Sequence, residues 1–327
     1  KSKAAKPLPH RRTKEALLIA GAAHLTRQSD KPRTGEWEAR AMDHKIIELY
    51  DEYTHAPLER RVFLDRLAKL AGGTAAAYAL LPLLENNYAK AQIVAADDPA
   101  LKTARIGYSG PAGDVQGYLA ASADGGRKPA VIIIHENRGL NAHIEDLTRR
   151  IAKAGFLALA PDLLTPLGGT PKDEDKAREL IGQTKPADAV ANLQAAVTWL
   201  ASHPQATGKV GAVGFCWGGG MSNRLAIAEP RLSAAVVFYG PSPAVEDVGK
   251  IKAPLLLHYA GLDKRINDGV PPYVDALEAH EKAFEMHMYD GVDHAFNNDA
   301  NAARYNAAAA QLAWSRTIDF LAKHLAG

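Results

Sequence analysis

The one cysteine of this 327-residue chain stands in the run Gly214-Phe215-Cys216-Trp217-Gly218-Gly219-Gly220. An apolar, β-branched stretch (Val210–Phe215) precedes it, and a helical stretch (Trp217–Ala228) follows. The run therefore has the form of a Gly-x-Ser-x-Gly nucleophile elbow, with Cys216 in the serine's place. Glycines two positions either side let strand and helix approach while the turn lifts the sulfur into a cleft. The N-terminus of the following helix offers free N–H groups and the positive end of a dipole. Both favour a thiolate, and one N–H can bind an oxyanion. A lone cysteine is more often simply buried, but small neighbours at a strand–helix junction favour the nucleophile.

A thiol needs a base, and the base needs an orienting acid. In elbow-bearing folds the chain order is nucleophile, acid, histidine. Asp263 follows Gly261-Leu262 just beyond the strand Leu255–Tyr259, and His294 lies in Gly291-Val292-Asp293-His294-Ala295-Phe296 beyond the strand Phe284–Tyr289. Loops at the carboxyl ends of strands are where such sheets place their sites. Cys216, Asp263 and His294 are thus the expected set. Asp293 competes for the orienting role but is adjacent to His294, and Asp268 lies later in its loop. After the strand Val131–Ile134 comes His135-Glu136-Asn137-Arg138-Gly139. In this arrangement that loop provides the second oxyanion N–H. A buried, unpaired carboxylate is costly. Glu136 therefore either pairs with a base such as Arg138 or takes part in the chemistry.

The elements that must hold these residues follow from periodicity. Val131–Ile134, Phe156–Ala160, Val210–Phe215, Ala234–Tyr239, Leu255–Tyr259 and Phe284–Tyr289 read as strands. Between them lie helical stripes: Ile144, Leu147 and Ile151 after a capping Asn141, then Val190 to Leu200, Trp217 to Ala228, and Tyr273 to Glu281. A last stripe holds Trp314, Ile318, Leu321 and Leu325. Strand–helix alternation predicts an α/β fold, a mostly parallel sheet with helices on both faces, over residues 101–327.

The first hundred residues differ. Residues 1–35 hold nine Lys/Arg against Glu15 and Asp30, a charge of +7 in a chain whose remainder sums to −5. No aromatic residue interleaves these charges before Trp37, so a solvated basic extension over 1–41 is expected rather than a nucleic-acid arm. Met42 is the first methionine, and a start there is expected. Residues 42–95 predict a helical appendage: Ile46, Tyr50 and Tyr53 recur at helical spacing, then Phe63, Leu67 and Leu70, with Gly72-Gly73 as a stop. The same region has a second reading. Arg60-Arg61-Val62-Phe63-Leu64 resembles a twin-arginine export motif, an apolar run follows from Leu70 to Leu84, and Ala89-Lys90-Ala91 has the form of a cleavage site. The acidic stretch before the arginines favours a helical hairpin instead. The location follows accordingly: cytoplasm, or periplasm if Arg60-Arg61 serves export.

Composition excludes other classes. Charged residues at 23% and hydrophobic ones at 47% argue against a disordered chain and a multi-span membrane protein. Fifteen apolar residues are too few for an ordinary span. A net charge of +2 gives no reason to expect nucleic acid, and one cysteine precludes an internal disulfide. No cofactor is expected: there is no phosphate cradle, and His135-Glu136 lacks a second histidine at metal-ligand spacing. The partners expected are a small ester or lactone, and a second copy through the N-terminal helices.

Four segments together resemble the dienelactone hydrolase family, a cysteine branch of the α/β hydrolases: 135–139, 214–219, 261–263 and 291–296, with Pro161-Asp162-Leu163 in support. The appended helices are similar to those of its leader-bearing branch. The resemblance implies Cys216 as nucleophile, His294 as base, Asp263 as orienter, and the N–H groups of Trp217 and Asn137 as oxyanion hole. It also implies that Glu136 holds a resting thiol until substrate displaces it, and that an acyl-thioester forms on the path to hydrolysis. Tyr239, Phe296, Asn298 and Arg138 are the expected substrate contacts. Two positions depart from the type members: Asn298 stands where they carry an arginine for a substrate carboxylate, and Arg138 where they carry an apolar residue. Arg138 either clamps an anion or pairs with Glu145 or Asp146. A carboxylic ester or lactone is therefore the expected substrate class. A phosphotriester or thioester, or a non-catalytic binding module, are the alternatives.

Overall fold

The computed structural model describes residues 42–88 and 92–326. Three helices come first: α1 (His44–His55), α2 (Arg60–Ala71) and α3 (Thr74–Leu84). Asp43 caps α1 by accepting from the Lys45 N–H at 3.0 Å. Gly72 ends α2 in the left-handed region, at φ +82°, where a side chain would be strained. The apolar run predicted from Leu70 to Leu84 is thus broken into two helices bent by 109°. No single described helix is long and apolar enough to cross a membrane. The basic extension 1–41 and the segment Ala89-Lys90-Ala91 lie outside the described residues.

The rest is one eight-stranded sheet. Strands β1 (Leu101–Gly110) and β2 (Gly113–Ser122) form a hairpin, followed by β3 (Lys128–Ile134), α4 (Ala142–Lys153) and β4 (Leu157–Asp162). Next come α5 (Glu174–Gln183), α6 (Pro186–Ala201), β5 (Ala206–Phe215), α7 (Trp217–Ala228) and β6 (Ala234–Phe238). The chain continues with β7 (Leu255–Ala260), α8 (Lys264–Asn267), α9 (Val270–Ala279), β8 (Phe284–Tyr289) and α10 (Ala307–Leu325). The order across the sheet is β1-β2-β4-β3-β5-β6-β7-β8. The first two pairings, β1 with β2 and β2 with β4, are antiparallel, and all others are parallel.

The unbroken apolar strands are explained by burial on both faces. Ile132 and Ile134 of β3 pack with Leu193 and Val197 of α6 and Leu225 of α7. Val131 and Ile133 point the other way, onto Ile144 and Leu147 of α4 and Leu321 of α10. The helical hairpin has a separate core in which Tyr50, Tyr53, Phe63, Leu67, Ala77 and Leu84 are buried. Phe63 stacks on Tyr53 at 4.3 Å between ring centroids. Leu70, expected on that apolar stripe, is instead 42% exposed, one turn beyond the buried Leu67.

The hairpin meets the sheet domain through polar contacts. The Tyr53 hydroxyl donates to Asp175 at 2.7 Å. Asn137 donates to the Thr54 carbonyl at 2.8 Å, and Asn301 to the Leu84 carbonyl at 2.5 Å. The conspicuous pair Arg60-Arg61 opens α2, and Arg60 bridges Glu85 and Asp175 at 3.1 and 3.2 Å.

Two cores imply two levels of stability. Leu67→Ala, at a fully buried position, is expected to cost about 2–5 kcal/mol within the hairpin. Amide hydrogen exchange should show α1–α3 losing protection while the strands keep theirs. Equal loss in both would mean that the chain opens as a single unit.

Candidate active site

Three carboxyl-end loops and one elbow converge above the sheet. Cys216 sits between β5 and α7 with φ 53° and ψ −116°, a conformation a non-glycine residue adopts only under constraint. Its N–H donates to the Phe238 carbonyl at 3.0 Å, which ties the elbow to β6. Two glycines are required here by space. A Cβ on Gly214 would overlap the Gly218 carbonyl, and a Cβ on Gly218 would overlap the carbonyls of Ile134 and His135. Tyr239 and Ala295, which also carry positive φ (40° and 63°), flank the same point.

Asp263 caps α8, accepting from the Ile266 N–H at 3.3 Å. Its other oxygen lies 2.5 Å from Nδ1 of His294. The alternative carboxylates go elsewhere: Asp293 meets His44 at 3.0 Å, and Asp268 pairs with Lys264. The Nε2 atom of His294 is buried without a hydrogen-bond partner among the described residues. The sulfur has a further neighbour that no sequence motif revealed. His55, the last residue of α1, places Nε2 3.1 Å from the Cys216 Sγ. Its Nδ1 lies 3.0 Å from the Asp51 carboxylate. One ring nitrogen of each histidine and the sulfur lie within 4.8 Å of one another. This is also a possible donor set for a metal, which local ligand spacing could not disclose. Tetrahedral ligands of one zinc ion stand roughly 3.5 Å apart; the shorter sulfur–nitrogen separation is that of a hydrogen bond.

Electrostatics follow from this cluster. Burial pushes the Cys216 thiol up, but the imidazoles of His55 and His294 outweigh it and bring the thiol down to about 6. Burial pulls His294 down, while Asp263, the sulfur and Asp51 raise it to about 10. His55 is likewise raised, against burial, by Cys216 and Asp51. Asp51 is itself held well below the usual carboxylate range: burial raises it, but His294, His55 and Arg265 prevail.

The other expected residues divide into two groups. Trp217 and Asn137 line the cleft, as does Tyr239. The Trp217 N–H opens α7 and has no intrahelical acceptor. The cleft holds about 860 Å³ and is closed on one side by Tyr53, His55 and Pro57 of the hairpin. Glu136, Phe296, Asn298 and Arg138 do not line it. Glu136 accepts from Asn298 at 2.8 Å and from the Tyr239 hydroxyl at 3.4 Å, so its partner is neither Arg138 nor the sulfur. Asn298 is therefore spent on Glu136. Phe296 is fully buried behind Tyr239, with ring centroids 5.4 Å apart. Arg138 pairs with Glu174 of α5 at 3.0 Å; the expected partners Glu145 and Asp146 are taken by Arg105 and Arg150. His135 is structural: it accepts from the Leu163 N–H at 3.2 Å and stacks on Trp217.

The sheet domain is similar to known proteins. The sequence profile of the Dienelactone hydrolase family matches residues 115–325. A Saccharolobus solfataricus protein, provisionally named a carboxymethylenebutenolidase, is 32% identical over 66% of this chain and 96% of its own length. An Escherichia coli K12 protein, provisionally named hydrolase fragment YghX, is 50% identical over 34% of this chain and 98% of its own. Among solved structures, one provisionally titled a dienelactone hydrolase from Klebsiella pneumoniae superposes with a TM-score of 0.62 at 30% identity, covering 68% of this chain and 99% of that one.

The elbow can be tested by space alone. Gly218→Ala is expected to cost about 1–3 kcal/mol or more, because only backbone surrounds the added methyl. Denaturant midpoints and iodoacetamide labelling of Cys216 would both register the displaced elbow. An unchanged midpoint with unchanged labelling would contradict the packing described.

Proposed function

Because the chain belongs to the dienelactone hydrolase family, we propose that it cleaves carboxylic esters or opens lactones through an acyl-thioester on Cys216. The observation that carries this reading is a sulfur at a strained elbow beside a histidine whose far nitrogen lies 2.5 Å from a buried aspartate.

The Cys216 thiolate adds to the ester carbonyl, and the N–H groups of Trp217 and Asn137 take up the oxyanion. As the adduct collapses, the C–O bond breaks and the leaving oxygen takes a proton from His294. Water then gives a proton to His294 and attacks the thioester; the C–S bond breaks and the thiolate returns. Asp263 holds His294 in the tautomer this exchange requires. Glu136, held by Asn298 and Tyr239, shapes the floor behind the sulfur. With Asn298 turned to Glu136 and Arg138 paired with Glu174, neither position supplies a free clamp for a substrate carboxylate. Carboxylic esters and lactones in general are the class this favours, with Arg60, Lys176, Arg178 and Arg265 as the cationic side chains that line the cleft.

Mass spectrometry after exposure to an excess of an activated aryl ester should show one acyl group, on Cys216. The adduct should be absent from Cys216→Ala. In His294→Ala or Asp263→Asn, kcat should fall by about 10³-fold or more. No adduct in the wild type would instead favour a hydrolase-fold binding module.

The pH profile of kcat/KM should be a bell. Below about 6 the sulfur carries its proton and cannot attack. Above about 10 His294 has lost the proton that the leaving oxygen needs. A profile flat from about pH 5 to 8 would contradict the thiolate–imidazolium pair.

A further inference from the structure

We infer that His55, delivered by the appended helix α1, is a second catalytic imidazole that holds Cys216 as a thiolate before any substrate binds. The inference rests on the proposed role of Cys216 as nucleophile and adds a residue that the hydrolase domain lacks.

The tautomer argument comes from His55's own neighbours. Its Nδ1 lies 3.0 Å from the Asp51 carboxylate, 2.9 Å from the Asp51 carbonyl and 3.0 Å from the Thr54 hydroxyl, whose hydrogen goes to the Asp51 carbonyl at 3.1 Å, so all three oxygens face Nδ1 as acceptors. Nδ1 therefore carries hydrogen. Nε2, 3.1 Å from Sγ, then has two options: as neutral imidazole it accepts from S–H, and as imidazolium it donates to S⁻. Asp51 decides between them by stabilising the charged ring. In the ionised site the S–H bond is broken, its electron pair stays on sulfur and its proton passes to Nε2 of His55, while His294 carries a second proton taken up from solvent. The result is an alternating row: Asp51 carboxylate, His55 imidazolium, thiolate, His294 imidazolium, Asp263 carboxylate. The two rings meet edge-to-face at 4.7 Å with the sulfur beside both.

Other groups around His55 fix the charge balance. Arg265 donates to Asp51 at 3.1 Å and approaches Nδ1 of His294 at 3.4 Å. Arg304 lies 3.8 Å from Asp51, and Glu136 lines the small space beneath His55 and the sulfur. Arg265, Arg304, Arg138 and the His294 imidazolium oppose protonation of His55, and the two aspartates, the thiolate and Glu136 favour it. The helix is held in register by the Thr54 carbonyl, which accepts from Asn137 in the oxyanion loop. His55 takes no part in the proton cycle of His294; it sets the resting state of the sulfur.

A consequence for specificity follows. In the arrangement implied by family resemblance, a glutamate holds a resting thiol until an incoming substrate displaces it. Here the glutamate is tied to Asn298 and Tyr239 and an imidazolium faces the sulfur, so ionisation of the thiol does not wait for a substrate to displace Glu136.

The test is titration of the full chain by ultraviolet thiolate absorption, alongside the ester adduct measured separately. The wild type should ionise with a midpoint near 6, and His55→Gln should raise it by at least about one unit, slowing iodoacetamide labelling about tenfold below that midpoint. A purely structural role would leave the midpoint where it was. If His55→Gln does not fold, the wild type suffices: alkylating Cys216 should lower the pKa of the His55 ring, followed by NMR, by at least about one unit, since coupling between two sites is reciprocal. An unmoved midpoint in a folded variant, or an unmoved His55 ring, overturns the inference. Absence of the ester adduct overturns the hydrolase reading alone, because the titration does not depend on turnover.

Discussion

A buried sulfur faced by two imidazoles is the constraint around which the site is organised. Cys216 is only 5% exposed. Burial alone would keep it protonated, since an unpaired charge in such surroundings costs several kcal/mol. The cost is offset only if cations stand within hydrogen-bond reach and are themselves held by anions. His55 meets the first condition at 3.1 Å and His294 adds its charge from within 4.8 Å, and two buried carboxylates, Asp51 and Asp263, meet the second. Neither carboxylate is within reach of the sulfur in sequence. Each is brought there by a short helix-terminal segment whose backbone N–H groups or arginine neighbours stabilise it in turn.

The same constraint explains the backbone. To put a thiol at the mouth of a parallel sheet, the chain must reverse from β5 into α7 within one residue, and that residue takes a conformation L-amino acids avoid. Strain of this kind persists only if the surroundings overdetermine it. Here they do: the Cys216 N–H is tied to β6, Gly218 is pressed against the end of β3, and Gly219 against Gly240. Strands whose two faces feed separate cores, one beneath α6 and α7 and one beneath α4 and α10, make that platform rigid.

Much of this was legible from residue order. Strands buried on both faces leave uninterrupted apolar runs, so β3 to β8 and the helices α4, α6, α7, α9 and α10 could be read directly, α7 and β8 to the residue. Where a face is exposed the signal weakens. β1 has one buried residue in ten, and neither it nor its partner β2 was anticipated. Helix α5 buries only Ala177 and Ile181, though Asp173 before two acidic residues was an available capping signal. Cys216, Asp263 and His294 were readable because each lies at a fixed place relative to a strand end. His55 was not, because nothing local marks it: it is one of twelve histidines, and what matters is a contact with a residue 161 positions away. Arg138 and Asn298 were misplaced for the converse reason. Their types suit anion binding, but Glu174 and Glu136, the partners that occupy them, lie outside any local pattern.

The hairpin's dependence on polar docking gives its position consequences. Its apolar residues are spent on its own core. What aligns α1 with the sheet domain is a set of directional contacts: Tyr53 to Asp175, Asn137 to Thr54, and Asp51 to Arg265. Directional contacts fix orientation better than they add stability. A helix held in this way can place an imidazole to within a hydrogen bond's tolerance, yet loses that placement when its internal core loosens. The ionisation of the thiol and the integrity of a helical core more than a hundred residues earlier in the chain are thereby linked, and the link runs both ways. An ionised sulfur pulls His55, and with it α1, onto the sheet domain. A protonated sulfur withdraws that attraction and leaves the hairpin to its other polar contacts, among them those of Tyr53, Asn137, Arg265, Arg60 and Asn301.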